Sequence, residues 1–265
     1  MATALDRIID YKKTEIADLK AKRTLSSFSD EIKTAPPTRG FIAALDQKVR
    51  DGQNGLICEI KRKSPSAGDI LKDANPIDIA REYERAGAAC LSVLTDTPSF
   101  GGTLDDLRAV RDAVNIPLLR KDFMVDPIQI YEARANGADC ILIILSSTDD
   151  ILAQELKAAS DECGLDVLVE VHDQMELDRA LAMNAPLIGV NNRNLKEMTT
   201  DLGVSETLSA RMSAHSMVSE SGVKTADDIQ RLQKSGYRRF LIGESLMKET
   251  DRELFVRDLV NTKID

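Results

Sequence analysis

Eight short apolar, β-branched runs recur along this chain, separated by segments of helical periodicity, and this alternation restricts the fold more than any other feature. The runs are LICEIK from Leu56, CLSVLT from Cys90, PLLRK from Pro117, CILIIL from Cys140, VLVEV from Val167, LIGVNN from Leu187, SMVSE from Ser216 and FLIG from Phe240. Between them lie segments such as PIDIAREYERAGA, PIQIYEARANGA, MELDRALAMNA and TADDIQRLQKSGY, several closing on Gly or Asn as helix C-caps do. Regular βα alternation implies a parallel sheet. A set of eight fits a closed (β/α)8 TIM barrel, and no GxGxxG follows the first run to favour an open dinucleotide-binding sheet.

With 265 residues, 43% of them hydrophobic, the chain is long enough for one large core. We expect a single domain over 1–265, with about 1–45 forming an N-terminal helical extension that packs on the barrel. Leu5, Ile8, Ile9, Ile16 and Leu19 recur at helical spacing there and define one apolar stripe. Charge interrupts this segment too often for a signal peptide, and no run approaches the roughly 20 apolar residues of a membrane span. The formal net charge of -9 argues against a nucleic-acid or anionic-membrane surface while leaving room for a local cationic pocket. Cys58, Cys90, Cys140 and Cys163 are widely separated and lack the close pairs of zinc sites. They read as reduced structural thiols of a cytoplasmic protein.

The run ICEIKRKSPSAGDI places Glu59 and Lys61 on one face of a strand, which is either a surface face with a solvated ion pair or a face with a use, and the rest of the chain decides between them. The same anomaly recurs. Lys121, Glu170, Asn191 with Arg193, Glu220 and Gly243 all fall at or just beyond the C-terminal ends of different runs, where barrels place their chemistry. Glu59 and Lys61 are expected to point into the barrel mouth, neither of them fully buried.

In order along the chain, EIKRKSPSAG, LSVLTDTPSFGG, LLRKDFMVDPIQIYEARANGAD, LVEVHDQMELDRAL, IGVNNRNLK, VSESGV and FLIGESLM resemble the motifs of the indole-3-glycerol phosphate synthase family. The resemblance runs from about Ala44 to Met247. It implies a carboxy-lyase of tryptophan biosynthesis that closes an anthranilate-bearing, phosphorylated ribulose chain into indole-3-glycerol phosphate, releasing carbon dioxide and water. It implies no metal and no organic cofactor. The partner it implies is a small anionic phosphorylated substrate. Neither nucleic acid nor a membrane is expected, and the chain is expected to be a monomer with transient contacts to other enzymes of its pathway.

The resemblance makes Lys121 the acid that protonates the substrate ketone and Lys61 a second lysine near the substrate carboxylate, able to assist loss of the hydroxyl. Glu59 and Glu170 become proton acceptors or shuttles, ionised beside two lysines, with their division of labour left open. Asn191, Arg193 and Glu220 match polar contacts to the substrate. Ser64 and Pro65 match a loop closing over its ring, while Phe100, Phe123 and Leu195 match apolar walls. Ser221, Gly222, Gly243 and Glu244 match the phosphate cradle, Glu244 through its backbone alone because an inward carboxylate would repel phosphate. Lys63 belongs to the loop, and His172 matches the family without a catalytic role. Two other readings stay open: another phosphate-binding barrel enzyme, either a sugar-phosphate isomerase or a Schiff-base aldolase using Lys121, and a barrel kept as a binding module.

Overall fold

The computed structural model describes residues 3–65, 67–194, 197–212 and 216–264. Eight parallel strands close on themselves: β1 Gly55–Ile60, β2 Cys90–Leu94, β3 Leu118–Lys121, β4 Cys140–Ile144, β5 Asp166–Val171, β6 Leu187–Asn191, β7 Ser216–Glu220 and β8 Arg239–Ile242. Each pairs with its sequence neighbour, and β8 pairs with β1. All eight runs recognised in the sequence are strands. The register levels the chemistry at one end, setting Glu59 opposite Ser92, Glu170 opposite Gly189 and Asn191 opposite Glu220.

Alternation sorts each strand between two environments. Leu56, Cys58 and Ile60 pack outward against the helices, while Ile57 joins Leu119, Leu168 and Val218 inside the barrel. Cys90 and Cys140 also face inward. Cys163 closes the helix Asp150–Cys163, and all four cysteines are free, buried and pushed above the ordinary thiol range chiefly by burial.

Three helices precede the barrel: α1 Ala4–Lys22, α2 Leu25–Thr34 and α3 Phe41–Arg50. Thr3 and Asp6 form a capping box that starts α1. Phe28 of α2 packs on Ile128 of the helix Ile128–Ala135. Phe41 and Leu45 of α3 are fully buried in the barrel's interior cluster, and the Phe41 carbonyl meets Cys90 Sγ at 3.4 Å. The helical extension therefore continues past residue 45, because α3 is the plug of the lower end.

Ile8 and Ile16 are buried as the apolar stripe requires, but the residue midway between them is Lys12, whose side chain is 4% exposed. Its ammonium lies 3.1 Å from Asp96 and 2.9 Å from Asp122, both buried at the upper end of the barrel. Tyr11 donates a hydrogen bond to the same Asp96 at 2.7 Å. Asp122 also pairs with Arg120 at 3.1 Å, but among the described residues Lys12 is the one cation on Asp96, so removing it leaves that buried carboxylate without a counter-charge. Lys12→Met should cost about 3 kcal/mol, which lowers the melting temperature by roughly 6–12 °C for a chain of this size. Thermal unfolding checks this, and an unchanged melting temperature would mean that the aspartates find compensation elsewhere.

Among the described residues no helix is long and apolar enough to cross a membrane, and no cluster of three or more His, Cys, Asp or Glu is placed to hold a metal ion.

Candidate active site

The inward alternate positions at the upper strand ends bring one ammonium into a ring of carboxylates. Lys121 Nζ lies 3.5 Å from Glu59 Oε2, 3.9 Å from Glu170 Oε2 and 3.8 Å from Glu220 Oε2. Lys61, one residue beyond β1, pairs with Glu59 Oε1 at 2.7 Å. Ser92 donates to Glu59, and Asn191 Nδ2 donates to Glu170 Oε1 at 3.1 Å. Two glycines make the crowding possible. A Cβ on Gly189 would stand 1.9 Å from Glu220 Oε1, and one on Gly243 would stand 2.6 Å from Glu59 Oε1.

Glu59 is 3% exposed, so the expectation that it would not be fully buried is corrected. It can be buried as an anion because two ammonium groups flank it. Burial works to raise its pKa, but Lys61 and Lys121 bring it down to about 2. Burial also opposes ionisation of Glu170, yet His172, Lys121 and Asn191 hold it at about 2. Glu220 goes the other way: burial and the neighbouring Glu170 charge outweigh Lys121 and push it up to about 8. For Lys121 itself, burial disfavours the ammonium but the three carboxylates raise it well above the ordinary lysine range.

Glu220 gives a stability signature with a definite sign. Its folded pKa lies above the unfolded value of 4.5, so the folded state holds the proton more tightly, and stability falls as pH rises from about 4.5 to about 8. Glu220→Gln, which mimics the neutral acid, should flatten that slope in denaturant titrations across the same window. Identical slopes in variant and wild type would show that Glu220 is ionised in the folded protein.

Two cavities meet over Lys121. One, of about 450 Å3, is lined by Lys61, Arg193, Ser221, Gly222, Gly243 and Glu244 among others. The second, of about 120 Å3, has an apolar wall of Phe100, Phe123, Leu142 and Ile144, with Glu170 and Asn191 at its polar end. The two phenyl rings stand 6.2 Å apart, tilted by 35°. Glu59, Lys61, Lys121, Arg193 and Ser221 line both. A ligand with a flat apolar end and an anionic end would thus lie across the lysine.

Backbone geometry shapes the wider cavity. Ser221 and Gly222 have φ of +63° and +92°, turning the chain sharply after β7. The short helix Glu244–Lys248 starts at Gly243 without a side-chain cap, so its first N–H groups are available at the cavity edge. The Glu244 carboxylate pairs with Lys248 at 2.6 Å and with Arg193 at 3.5 Å, which neutralises it beside this cradle.

Ser64 and Pro65 do not line either cavity. Ser64 is buried in a small hairpin, where its hydroxyl accepts from Ala67 N–H, and Pro65 is exposed at the turn. Leu195 lies outside the described residues. Sequence reasoning passed over Lys12, which belongs to the shell beneath the site: its partner Asp122 follows Lys121 and accepts from Phe123 N–H, while Asp96 caps the turn that carries Phe100. A lysine midway between Ile8 and Ile16 on an apolar stripe was the available signal. Lys224, Ser245 and Lys248, which also line the wider cavity, carried none.

The family model for indole-3-glycerol phosphate synthase matches residues 5–259. Among curated proteins, the indole-3-glycerol phosphate synthase of Hyphomonas neptunium is 59% identical over 94% of this chain and 94% of its own length. That of Azospirillum brasilense is 50% identical over 98% of this chain and all of its own. A crystal structure of 3-hexulose-6-phosphate synthase superposes with a TM-score of 0.64 at 16% identity, covering 80% of this chain and 100% of that one, and shares the fold.

Proposed function

The chain belongs to the indole-3-glycerol phosphate synthase family, and from that premise we propose how its residues divide the reaction between them. The enzyme is a carboxy-lyase of tryptophan biosynthesis acting on a phosphorylated small molecule. The observation that carries our reading is Lys121, held as an ammonium by Glu59 and Glu170 with Glu220 beside it, where the apolar wall and the cradle of the wider cavity meet.

The substrate is 1-(2-carboxyphenylamino)-1-deoxyribulose 5-phosphate. Its ring packs against Phe100 and Phe123, and its phosphate takes the backbone of Ser221, Gly222, Gly243 and Glu244. The ring carbon bearing the carboxylate then attacks the ketone carbon, and Lys121 gives a proton to the developing alkoxide. A donor with a raised pKa suits so basic an acceptor. The carboxylate departs as carbon dioxide, its bonding pair restoring the aromatic ring. Lys61 next protonates the new hydroxyl, which leaves as water, and Glu59 takes a proton from the adjacent carbon to complete the indole. Arg193, Asn191 and Glu220 orient the chain. The raised pKa of Lys121 opposes the aldolase reading, because imine formation needs the free amine.

Proton accounting follows from these steps. Two protons leave the lysines and one reaches Glu59, which returns it to Lys61 at 2.7 Å, so each turnover takes one proton from solvent to reload Lys121. The test is to supply the substrate to purified protein and follow indole absorbance, carbon dioxide and pH together. In a mildly acidic solution, where carbon dioxide does not go on to bicarbonate, one of each product and one proton consumed per turnover support the reading, and absence of indole ends it. We further propose that residues 1–265 act as one cytoplasmic domain, monomeric, with transient contacts to other pathway enzymes. Light scattering of the purified chain checks the monomer, since a mass of two chains would overturn it.

A further inference from the structure

The proton consumed in each turnover needs a way in, and His172 stands where one would run. It follows β5 directly, with its ring between two carboxylates. Nδ1 is 3.0 Å from Glu176 Oε2, and Nε2 is 3.3 Å from Glu170 Oε1. Glu176 also accepts the His172 backbone N–H at 2.8 Å, which fixes the carboxylate against the ring. Nε2 is buried and has no aligned hydrogen-bond partner, although it faces the glutamate. Glu170 in turn reaches Lys121 through its other oxygen. On the far side, His172 and Glu176 line a further cavity of about 690 Å3, between the start of α1 and the loops after β5 and β6, which shares Asn191 and Arg193 with the substrate cavities.

We propose that Glu176 and His172 form a proton entry that reloads Lys121 through Glu170 after each turnover. The proposal rests on the reaction assigned above. A proton from water in the outer cavity protonates Glu176. The imidazolium releases its Nε2 proton to Glu170, which delivers it to the amine left on Lys121, and the neutral ring then turns over so that its bare nitrogen meets Glu176 and takes the proton held there. The ring ends with the charge it began with, and so do both glutamates. The net change is one proton moved from water to the lysine.

Local electrostatics support a ring that is charged at rest. Burial opposes the imidazolium, but Glu170 and Glu176 raise His172 to about 10. The other charged groups around it are Lys121 on the substrate side, Arg193, which lines both the substrate cavities and the outer one, and Asp6, Asp173 and Asp201 across the outer cavity. Four carboxylates against one guanidinium leave the outer cavity net acidic, as a proton-collecting mouth requires.

An enzyme lacking the entry still starts with a loaded Lys121, so its first turnover is spared and later ones are not. In rapid-mixing experiments with substrate in excess, His172→Gln should form the first equivalent of indole within about 3-fold of the wild-type rate. Its steady-state rate should then fall about 10-fold. Glu176→Gln should show the same split, and its smaller change guards against poor folding of the first variant. Added imidazole should restore the steady-state rate of His172→Ala without altering its first turnover. Equal slowing of both phases would make His172 a structural residue, and wild-type steady-state rates in both Gln variants would show that Lys121 reloads directly from the mouth. Either result overturns the entry. Wild-type turnover in the same experiment tests the assigned reaction separately.

Discussion

Lys121→Met should lower kcat/KM by about 10^3 to 10^4, the combined scale of a lost general acid and a lost charge at a developing alkoxide. The fold should tolerate it. With Lys121 gone, Lys61 still faces Glu59, His172 still faces Glu170, and Glu220 already holds a proton, so no buried anion is stranded. In a single turnover neither carbon dioxide nor indole should appear, since nothing downstream can begin. Lys61→Met gives the informative contrast. At saturation it should release carbon dioxide first, with indole absorbance lagging behind. If the two signals rise together in that variant, Lys61 serves binding only and the second protonation belongs elsewhere.

Gly189→Ala should be nearly as damaging although it adds one methyl group. The new Cβ would overlap Glu220 Oε1 at 1.9 Å and press on Leu168 Cδ1 at 3.1 Å, where Leu168 is enclosed and Glu220 can yield only toward the cavity it lines. Overpacking of this kind costs about 1–3 kcal/mol. Glu220 must then swing away, taking its proton and its contact with Lys121. We expect kcat/KM to fall on the order of 10^2, the loss typical of a misplaced catalytic constellation. Pairing the change with Glu220→Ala should recover the lost melting temperature without recovering activity. If the single variant retains both stability and rate, the Glu220 position seen here is not required for turnover.

The strands were legible because the period of two survives wherever one face is apolar: Leu56, Cys58 and Ile60 mark the outer face of β1 whatever the inner face carries. The same pattern exposed Glu59 and Lys61 as exceptions. Burial was harder to read. Whether a glutamate is buried and ionised, as Glu59 is, or buried and protonated, as Glu220 is, depends on neighbours contributed by other strands. Lys12 shows the same limit. Its partners Asp96 and Asp122 lie 84 and 110 positions away, and no local pattern pairs them. The turn residues Ser64 and Pro65 carry a motif, but a motif does not state where a hairpin stands relative to a cavity.

The four buried thiols turn the chain into its own reporter of partial opening. A thiol reagent attacks the thiolate, and here every sulfur is shielded and held in its neutral form. Labelling in native buffer should therefore proceed only through fluctuations, at rates set by the free energy of each excursion. Cys163, at the end of an outer helix, would record that helix lifting away. Cys90 and Cys140 would record rupture of the sheet itself. Mass-resolved alkylation of the unmodified sequence could thus map, without engineered probes, which layer loosens first.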